Sequence, residues 1–91
     1  MIYWEEKSLI DRESIFEYLY EFNPNAAEAT DDMIEQKVEN LLHQPEMGVE
    51  RDGLRGRLLI ILEISMLVSY WIDGSTIRVM RVIHQKQKFP A

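Results

Sequence analysis

The sequence predicts an α+β fold in which a helical hairpin packs on a small, mostly antiparallel twisted sheet. Apolar residues recur at helical spacing in the first half, whereas the second half is rich in Leu, Ile and Val and carries a hairpin signal. A short apolar run precedes the helices. A chain of 91 residues has room for one small core. We therefore expect a single domain over residues 1–91 with the order β-α-α-β-β-β.

A strand and a helix are expected first. The β-branched and aromatic run Ile2-Tyr-Trp4 favours a strand. Ser8 with Asp11 three residues later resembles a capping pair, which predicts that the first helix begins at Ser8. Apolar residues then recur at helical spacing as far as Phe22, and Asn23-Pro24 ends the helix.

The same Asn23-Pro24 pair predicts the start of a second helix, with asparagine as the cap and proline at the first helical position. Pro45 and Gly48 are expected to end this helix. Its predicted apolar line consists of Ala27, Thr30, Ile34, Val38, Leu41 and Leu42.

Three sequential antiparallel strands should follow, over Leu54–Glu63, Ser65–Ile72 and Thr76–His84. Asp73-Gly74 is a strong signal for a two-residue hairpin turn between the last two strands. Simple alternation along the last strand places Arg81 on the face of its apolar residues. A cation there needs an acidic partner or access to solvent.

The charge is unevenly distributed along the chain. Residues 1–50 contain 3 basic and 13 acidic side chains, net −10, whereas residues 51–91 contain 7 and 3, net +4. A local positive surface suits a phosphate backbone or an acidic protein, so the C-terminal half is expected to meet the target. The absence of cysteine excludes disulfides and thiolate chemistry. With no signal peptide or spanning segment in the sequence, we expect a cytoplasmic protein.

Several common chemistries have no sequence signal. No glycine-rich phosphate loop is present, and His43 and His84 lie in different elements without metal-ligand spacing, so neither a metal nor a cofactor is expected. Metal-free RNA cleavage would need an acid, a base and cations at the phosphate, and His84 and Lys86 could share the first two roles. Individual basic residues could instead protect the edge of the sheet. The whole basic cluster comprises Arg51, Arg55, Arg57, Arg78, Arg81, His84, Lys86 and Lys88.

The order of several motifs is similar to one known family. They are Tyr3-Trp4, Ile15-Phe16-Glu17-Tyr18-Leu19, Asn23-Pro24-Asn25-Ala26-Ala27, Leu41-Leu42-x-x-Pro45-x-x-Gly48, Arg55 and Arg57, Leu67-Val68-x-Tyr70, Ile77-Arg78-Val79-x-Arg81-Val82-Ile83-His84 and Phe89-Pro90. Together they resemble the RelE/ParE superfamily of toxins from bacterial type II toxin–antitoxin modules. The resemblance implies two helices on a twisted antiparallel sheet and a hetero-oligomer with a cognate antitoxin, whose C-terminal segment wraps the toxin.

Members of this superfamily differ in their target. RelE-like toxins cut mRNA on the ribosome with a set of basic residues, whereas ParE-like toxins inhibit DNA gyrase and lack that set. Just before Val-x-Tyr, where the RelE pattern has a phosphate-binding arginine, this sequence has Leu67, and no tyrosine follows Tyr70. The resemblance therefore favours a ParE-like gyrase inhibitor. The alternatives are an mRNA interferase with His84 and Lys86 as catalytic residues, and an inactive relative that acts only as an interaction domain.

The residues expected to bind partners fall into two groups. Aromatic side chains left over on the helices and sheet are expected to anchor the antitoxin, since such residues often dominate interface energies. These are Trp4, Tyr20, Trp71 and Phe89. The residues expected to bind the target are Arg57, Arg78, Arg81, His84, Lys86 and Lys88.

Overall fold

The computed structural model describes residues 1–50 and 56–85, in which two helices pack against a five-stranded sheet. The sheet order is β1-β5-β4-β3-β2; β1 runs parallel to β5 and all other neighbours are antiparallel. The predicted α+β class is confirmed. In chain order the elements are β1 (Ile2–Trp4), α1 (Glu6–Tyr20), α2 (Pro24–Glu39), β2 (Val49–Glu50), β3 (Arg57–Ile61), β4 (Met66–Asp73) and β5 (Thr76–His84).

One core lies between α2 and the central strands. It buries Ile34 and Val38 of α2 completely, together with Val68 and Tyr70 of β4 and Val79 of β5. These side chains recur every four residues on the helix and every two on β4, as the predicted amphipathic pattern requires. Among the apolar residues of the line predicted for α2, only Leu42 is largely exposed. The α-helix ends before it, and Leu42 lies in a 3₁₀ turn at Asn40–Leu42.

The start of α1 differs from the prediction. The helix begins at Glu6, so Ser8 lies inside the first turn and is fully buried, rather than capping the helix. Its hydroxyl donates to the carbonyl oxygen of Glu5 at 2.6 Å. Asp11, the other member of the predicted capping pair, contacts β5 instead. A serine near a helix start can return its hydrogen bond to the backbone, which the capping pattern does not distinguish.

The start of α2 agrees with the prediction. The side-chain oxygen of Asn23 accepts from the backbone N–H groups of Asn25 and Ala26 at 3.1 and 3.2 Å, and Pro24 occupies the first helical position. All of these contacts are local in sequence. This explains why the signal could be read directly from the Asn-Pro pair.

Strand β3 ends earlier than predicted, at Ile61 instead of Glu63, and it begins at Arg57; the predicted start at Leu54 lies outside the described residues. Strand β4 has the predicted length but lies one residue later, at Met66–Asp73. A 3₁₀ turn at Leu62–Ile64 and a positive φ of 54° at Ser65 separate β3 from β4. The two-residue strand β2 was not predicted, since Val49–Glu50 is too short to show alternation.

A β-bulge changes which residues of β5 point toward the core. The register shifts between the pairs Ser69–Arg81 and Tyr70–Val79, so β5 contains one residue more than β4 over this stretch. Val82 therefore lies in the core, at 1% exposure, and Arg81 does not share the face of Val79. The predicted face of Arg81 is wrong because simple alternation takes no account of the bulge. Its expected acidic partner is present, namely Asp11.

The hairpin between β4 and β5 permits a direct stability test. Asp73 pairs with Thr76, so the loop residues are Gly74 and Ser75, one position later than the predicted Asp73-Gly74. Gly74 has a φ of 60°, and a Cβ atom at this position would have no other atom within 4 Å. We expect Gly74→Ala to lower the free energy of unfolding by about 1 kcal/mol through backbone strain alone. Urea denaturation should detect this change, with Ser75→Ala as a nearly neutral control.

Candidate functional site

The sheet carries a pocket of about 470 Å³ on the face away from the core. Trp71 pairs with Arg78 across β4 and β5, and Arg78 pairs with Tyr3 of β1, so these side chains share a row across the sheet. Arg57 closes the other side of the pocket. Three residues predicted to bind partners, Arg57, Trp71 and Arg78, are thus brought together. The remaining lining residues are Glu5, Glu50, Gly56, Ile72, Asp73 and Met80.

Arg78 is surrounded by acceptors from its own chain. Its guanidinium forms a salt bridge with Glu5, the residue just before α1, and a second nitrogen lies 3.9 Å from Asp73. The guanidinium also lies 5.1 Å from the ring centre of Tyr3, within the range of a cation–π contact. The side chain remains about one-third exposed, at 37%. The charge of Arg78 is therefore balanced by nearby carboxylates, while part of its side chain remains accessible to solvent.

Arg57 and Tyr70 hold the loop from Pro45 to Gly48 against the sheet. One guanidinium nitrogen of Arg57 donates to the carbonyl oxygens of Glu46 and Gly48 at 3.2 and 2.9 Å. The hydroxyl of Tyr70 donates to the carbonyl of Pro45 at 2.7 Å and accepts from the N–H of Gly48 at 2.9 Å. This Arg57 nitrogen therefore has a structural role, which the count of basic residues did not reveal.

Gly56 permits the packing of Trp71. Gly56 has a φ of 96°, and a Cβ atom there would lie 2.5 Å from both the Cδ1 atom of Trp71 and the carbonyl oxygen of Tyr70. A side chain at this position would push the indole away from the backbone, so the glycine helps to shape the pocket. Sequence reasoning missed Gly56 because the contact depends on pairing between two strands.

Arg81 lies apart from this pocket, at the edge of β5 beyond β1. Its guanidinium donates two hydrogen bonds to the Asp11 carboxylate of α1, at 2.7 and 3.0 Å. The hydrogen bonds to Asp11 raise the pKa of Arg81, so the guanidinium stays protonated and positively charged. The same carboxylate accepts from the backbone N–H of Val82 at 3.0 Å. Asp11 thus protects a strand edge as well as balancing the arginine.

His84, the proposed acid or base of an mRNA interferase, lies elsewhere again. It pairs with the buried Met66 and lines a groove of about 440 Å³ between α1 and the sheet. Its side chain does not line the pocket of Arg57 and Arg78. Lys86 and Lys88 lie outside the described residues. Within residues 1–50 and 56–85, no three His, Cys, Asp or Glu side chains form a cluster suited to a metal ion.

The predicted antitoxin anchors occupy different environments. Trp4 packs against the core, and the guanidinium of Arg12 lies 4.4 Å from its ring centre. Tyr20 is 50% exposed and stacks on Phe16, with ring centres 5.7 Å apart. Trp71 lines the sheet pocket. Phe89 lies outside the described residues.

Comparisons with known proteins identify a family. A family model described as "ParE toxin of type II toxin-antitoxin system, parDE" matches residues 2–89. Among solved structures, one titled "Chromosomal ParDE TA system from P. aeruginosa" superposes with a TM-score of 0.80 at 17% identity, covering 91% of this chain and 92% of that chain. At this identity the similarity shows the fold alone. No curated protein matches the sequence. In the described part of the chain, no helix is long and apolar enough to cross a membrane. The family match over nearly the whole sequence shows that the chain belongs to the ParE toxin family of type II toxin–antitoxin systems.

Proposed function

We propose that this protein is the toxin of a type II toxin–antitoxin module that arrests bacterial growth by binding and inhibiting DNA gyrase in the cytoplasm. A cognate antitoxin neutralises it by forming a hetero-oligomer. The residues proposed to contact the target lie at three places on the structure: Arg57 and Arg78 in the sheet pocket, Arg81 at the edge of β5, and His84 in the groove beside α1. Lys86 and Lys88, which lie outside the described residues, complete the proposed set, and Trp71 is proposed to contact the antitoxin.

The observation that carries the choice of target is the pairing of the sheet arginines. Arg78 binds Glu5, Arg81 binds Asp11 and Arg57 donates to backbone carbonyls. Metal-free cleavage of RNA requires cations directed at the place where phosphate charge develops. Arginines already matched by their own carboxylates are poorly suited to that task. A protein target needs only a surface of complementary shape and charge, which partly exposed ion pairs can provide.

Two further observations support inhibition by binding. Leu67 pairs with Ile83, so an apolar pair occupies the position at which the RelE pattern has its phosphate-binding arginine. His84 lines the groove between α1 and the sheet, whereas Arg57 and Arg78 line a different pocket, and the groove and the pocket share no lining residue. An acid or base must reach the same phosphate group as the cations that stabilise it. This separation disfavours one active site built from all three residues.

Two assays with the purified protein test the proposal. Added to DNA gyrase, it is expected to inhibit supercoiling or trap cleaved DNA, and added to translating ribosomes it should leave mRNA intact. Arg78→Ala should weaken gyrase inhibition by about tenfold, as expected for a partly exposed interface arginine. Lys7→Ala, an exposed lysine in the first turn of α1, is the matched control and should have no effect.

The same assays define the contrary outcomes. Cuts in mRNA that disappear in His84→Ala or Lys86→Ala would identify an mRNA interferase. Failure in both assays, together with normal growth under verified expression of folded protein, would indicate an inactive relative.

A further inference from the structure

An arginine lies between two aromatic side chains on the face of the sheet away from the core. Tyr3 of β1 pairs with Arg78 of β5, and Arg78 pairs with Trp71 of β4, so the three residues form one row across three strands. Tyr3 is 46% exposed, and Arg78 is about one-third exposed. Sheets that bind single-stranded nucleic acid combine aromatic rings, on which bases stack, with cations that contact phosphate. By residue type alone, the row has the composition of such a surface.

The carboxylates around this row change that expectation. Three carboxylates, from Glu5, Glu50 and Asp73, line the pocket together with two guanidiniums, from Arg57 and Arg78. Negative side chains therefore outnumber positive ones in the pocket. A phosphate group that approached Arg78 would be repelled by the surrounding carboxylates.

Glu5 neutralises Arg78 more directly than the other carboxylates do. It forms a salt bridge with the guanidinium, and among the described residues it alone accepts a hydrogen bond from Arg78. The Asp73 carboxylate lies 3.9 Å from another guanidinium nitrogen, which is too far for a hydrogen bond. The backbone N–H of Glu5 donates to the carbonyl oxygen of Val79 at 2.9 Å, so the main chain fixes Glu5 against β5. The carboxylate thus occupies donors that a phosphate oxygen would otherwise use.

We propose that Glu5 determines the specificity of this face: it binds Arg78 in place of a phosphate group, which excludes nucleic acid and leaves the face to a protein partner. The inference rests on the proposed function in one respect, namely that the target is a protein. Aromatic rings and an ion pair that is already formed can contact a protein surface. A nucleic-acid strand gains most of its affinity from cations that its phosphates can reach. One carboxylate therefore selects against the wrong class of target.

Replacing the Glu5 carboxylate with an amide of the same shape tests the proposal on the full-length protein. Glu6→Gln is the matched control, because Glu6 is exposed in the first turn of α1 and forms no salt bridge with a described residue. Single-stranded oligouridine is the probe, and NMR signals of the tryptophan indole N–H groups follow its binding. Glu5→Gln should bind the RNA about fivefold more tightly than wild type, since a partly exposed ion pair contributes about that factor. Glu6→Gln should change the affinity by less than about twofold.

The dependence on salt shows whether Arg78 has gained a phosphate contact. One additional contact should steepen the slope of log K against log salt by about 0.7 in Glu5→Gln, with no change in Glu6→Gln. Adding Arg78→Ala to Glu5→Gln should restore the affinity and the slope of wild type. Asp73→Asn should act in the same direction by a smaller factor, because Asp73 is farther from Arg78. This variant also provides the test if Glu5→Gln fails to fold.

Three results would overturn the proposal. Equal gains in Glu5→Gln and Glu6→Gln would mean that overall charge alone controls RNA binding. Wild type that already binds RNA as tightly as Glu5→Gln would mean that Glu5 does not exclude it. A gain that persists without Arg78 would place the phosphate elsewhere. The titrations contain no gyrase, so a wild type that fails to inhibit gyrase would contradict the proposed function without altering the RNA result.

Discussion

Replacing Tyr70 with phenylalanine is expected to lower the free energy of unfolding by about 2–3 kcal/mol. The ring of Tyr70 is fully buried, and its hydroxyl accepts from Gly48 at 2.9 Å and donates to Pro45 at 2.7 Å. Phenylalanine preserves the packing but leaves a buried N–H and a carbonyl without their partner. The loss is large because each unsatisfied buried group has given up its hydrogen bonds to water.

The same residue predicts a dependence of stability on alkaline pH. Burial raises the pKa of Tyr70 above its usual value of 10.0, although the hydrogen bond from Gly48 opposes this shift. The folded protein therefore retains this proton at pH values where the unfolded chain has lost it. The resulting contribution to stability is complete below about pH 10 and is lost as pH rises through the higher folded pKa. Tyr70→Phe should lack this component of the alkaline decline.

Urea unfolding followed by circular dichroism, at neutral and alkaline pH, measures both effects. Tyr18→Phe is the matched control, because Tyr18 is 64% exposed. Equal stabilities for wild type and Tyr70→Phe at neutral pH would mean that the loop from Pro45 to Gly48 gains little from its attachment to the sheet.

The elements that could be predicted from the sequence depend on contacts close along the chain. Asn23 caps α2 through residues two and three positions away, and the hairpin before β5 is closed by a glycine with positive φ. The predictions for the start of α1 and for the residues of β5 that face the core were wrong, because both features depend on tertiary structure. Ser8 is buried instead of exposed at a helix end, and the bulge opposite Ser69 alters the alternation.

The partners in the candidate site were harder to predict for the same reason. Arg81 and Asp11 are separated by 70 positions, and Arg78 and Glu5 by 73. These cations could be identified from the sequence, but the carboxylates that balance them become neighbours only when Glu5 and α1 pack against β5. Gly56 likewise acquires its role from the strand that bears Trp71. The presence of basic residues could be read from the sequence, whereas their pairing required the fold.

Replacing Asp11 with alanine is expected to lower the free energy of unfolding by about 2 kcal/mol, mainly through the exposed edge of β5. The Asp11 carboxylate is 15% exposed and accepts from both Arg81 and the backbone of Val82. Arg81→Ala removes only the ion pair, in which the arginine is 44% exposed, and should therefore cost about 1 kcal/mol or less. Asp11→Asn retains an acceptor for Val82 and should lie between these two variants.

Urea denaturation of the three variants orders their stabilities. If Arg81→Ala destabilises the protein as much as Asp11→Ala, then the ion pair, and not the contact with Val82, provides the stability. The order also decides how the proposed target contact of Arg81 should be tested. A carboxylate introduced at position 81 would face Asp11 and perturb the fold through repulsion between like charges. Arg81→Ala leaves the Asp11–Val82 contact in place, so a loss of gyrase inhibition in this variant with little loss of stability would report on target binding.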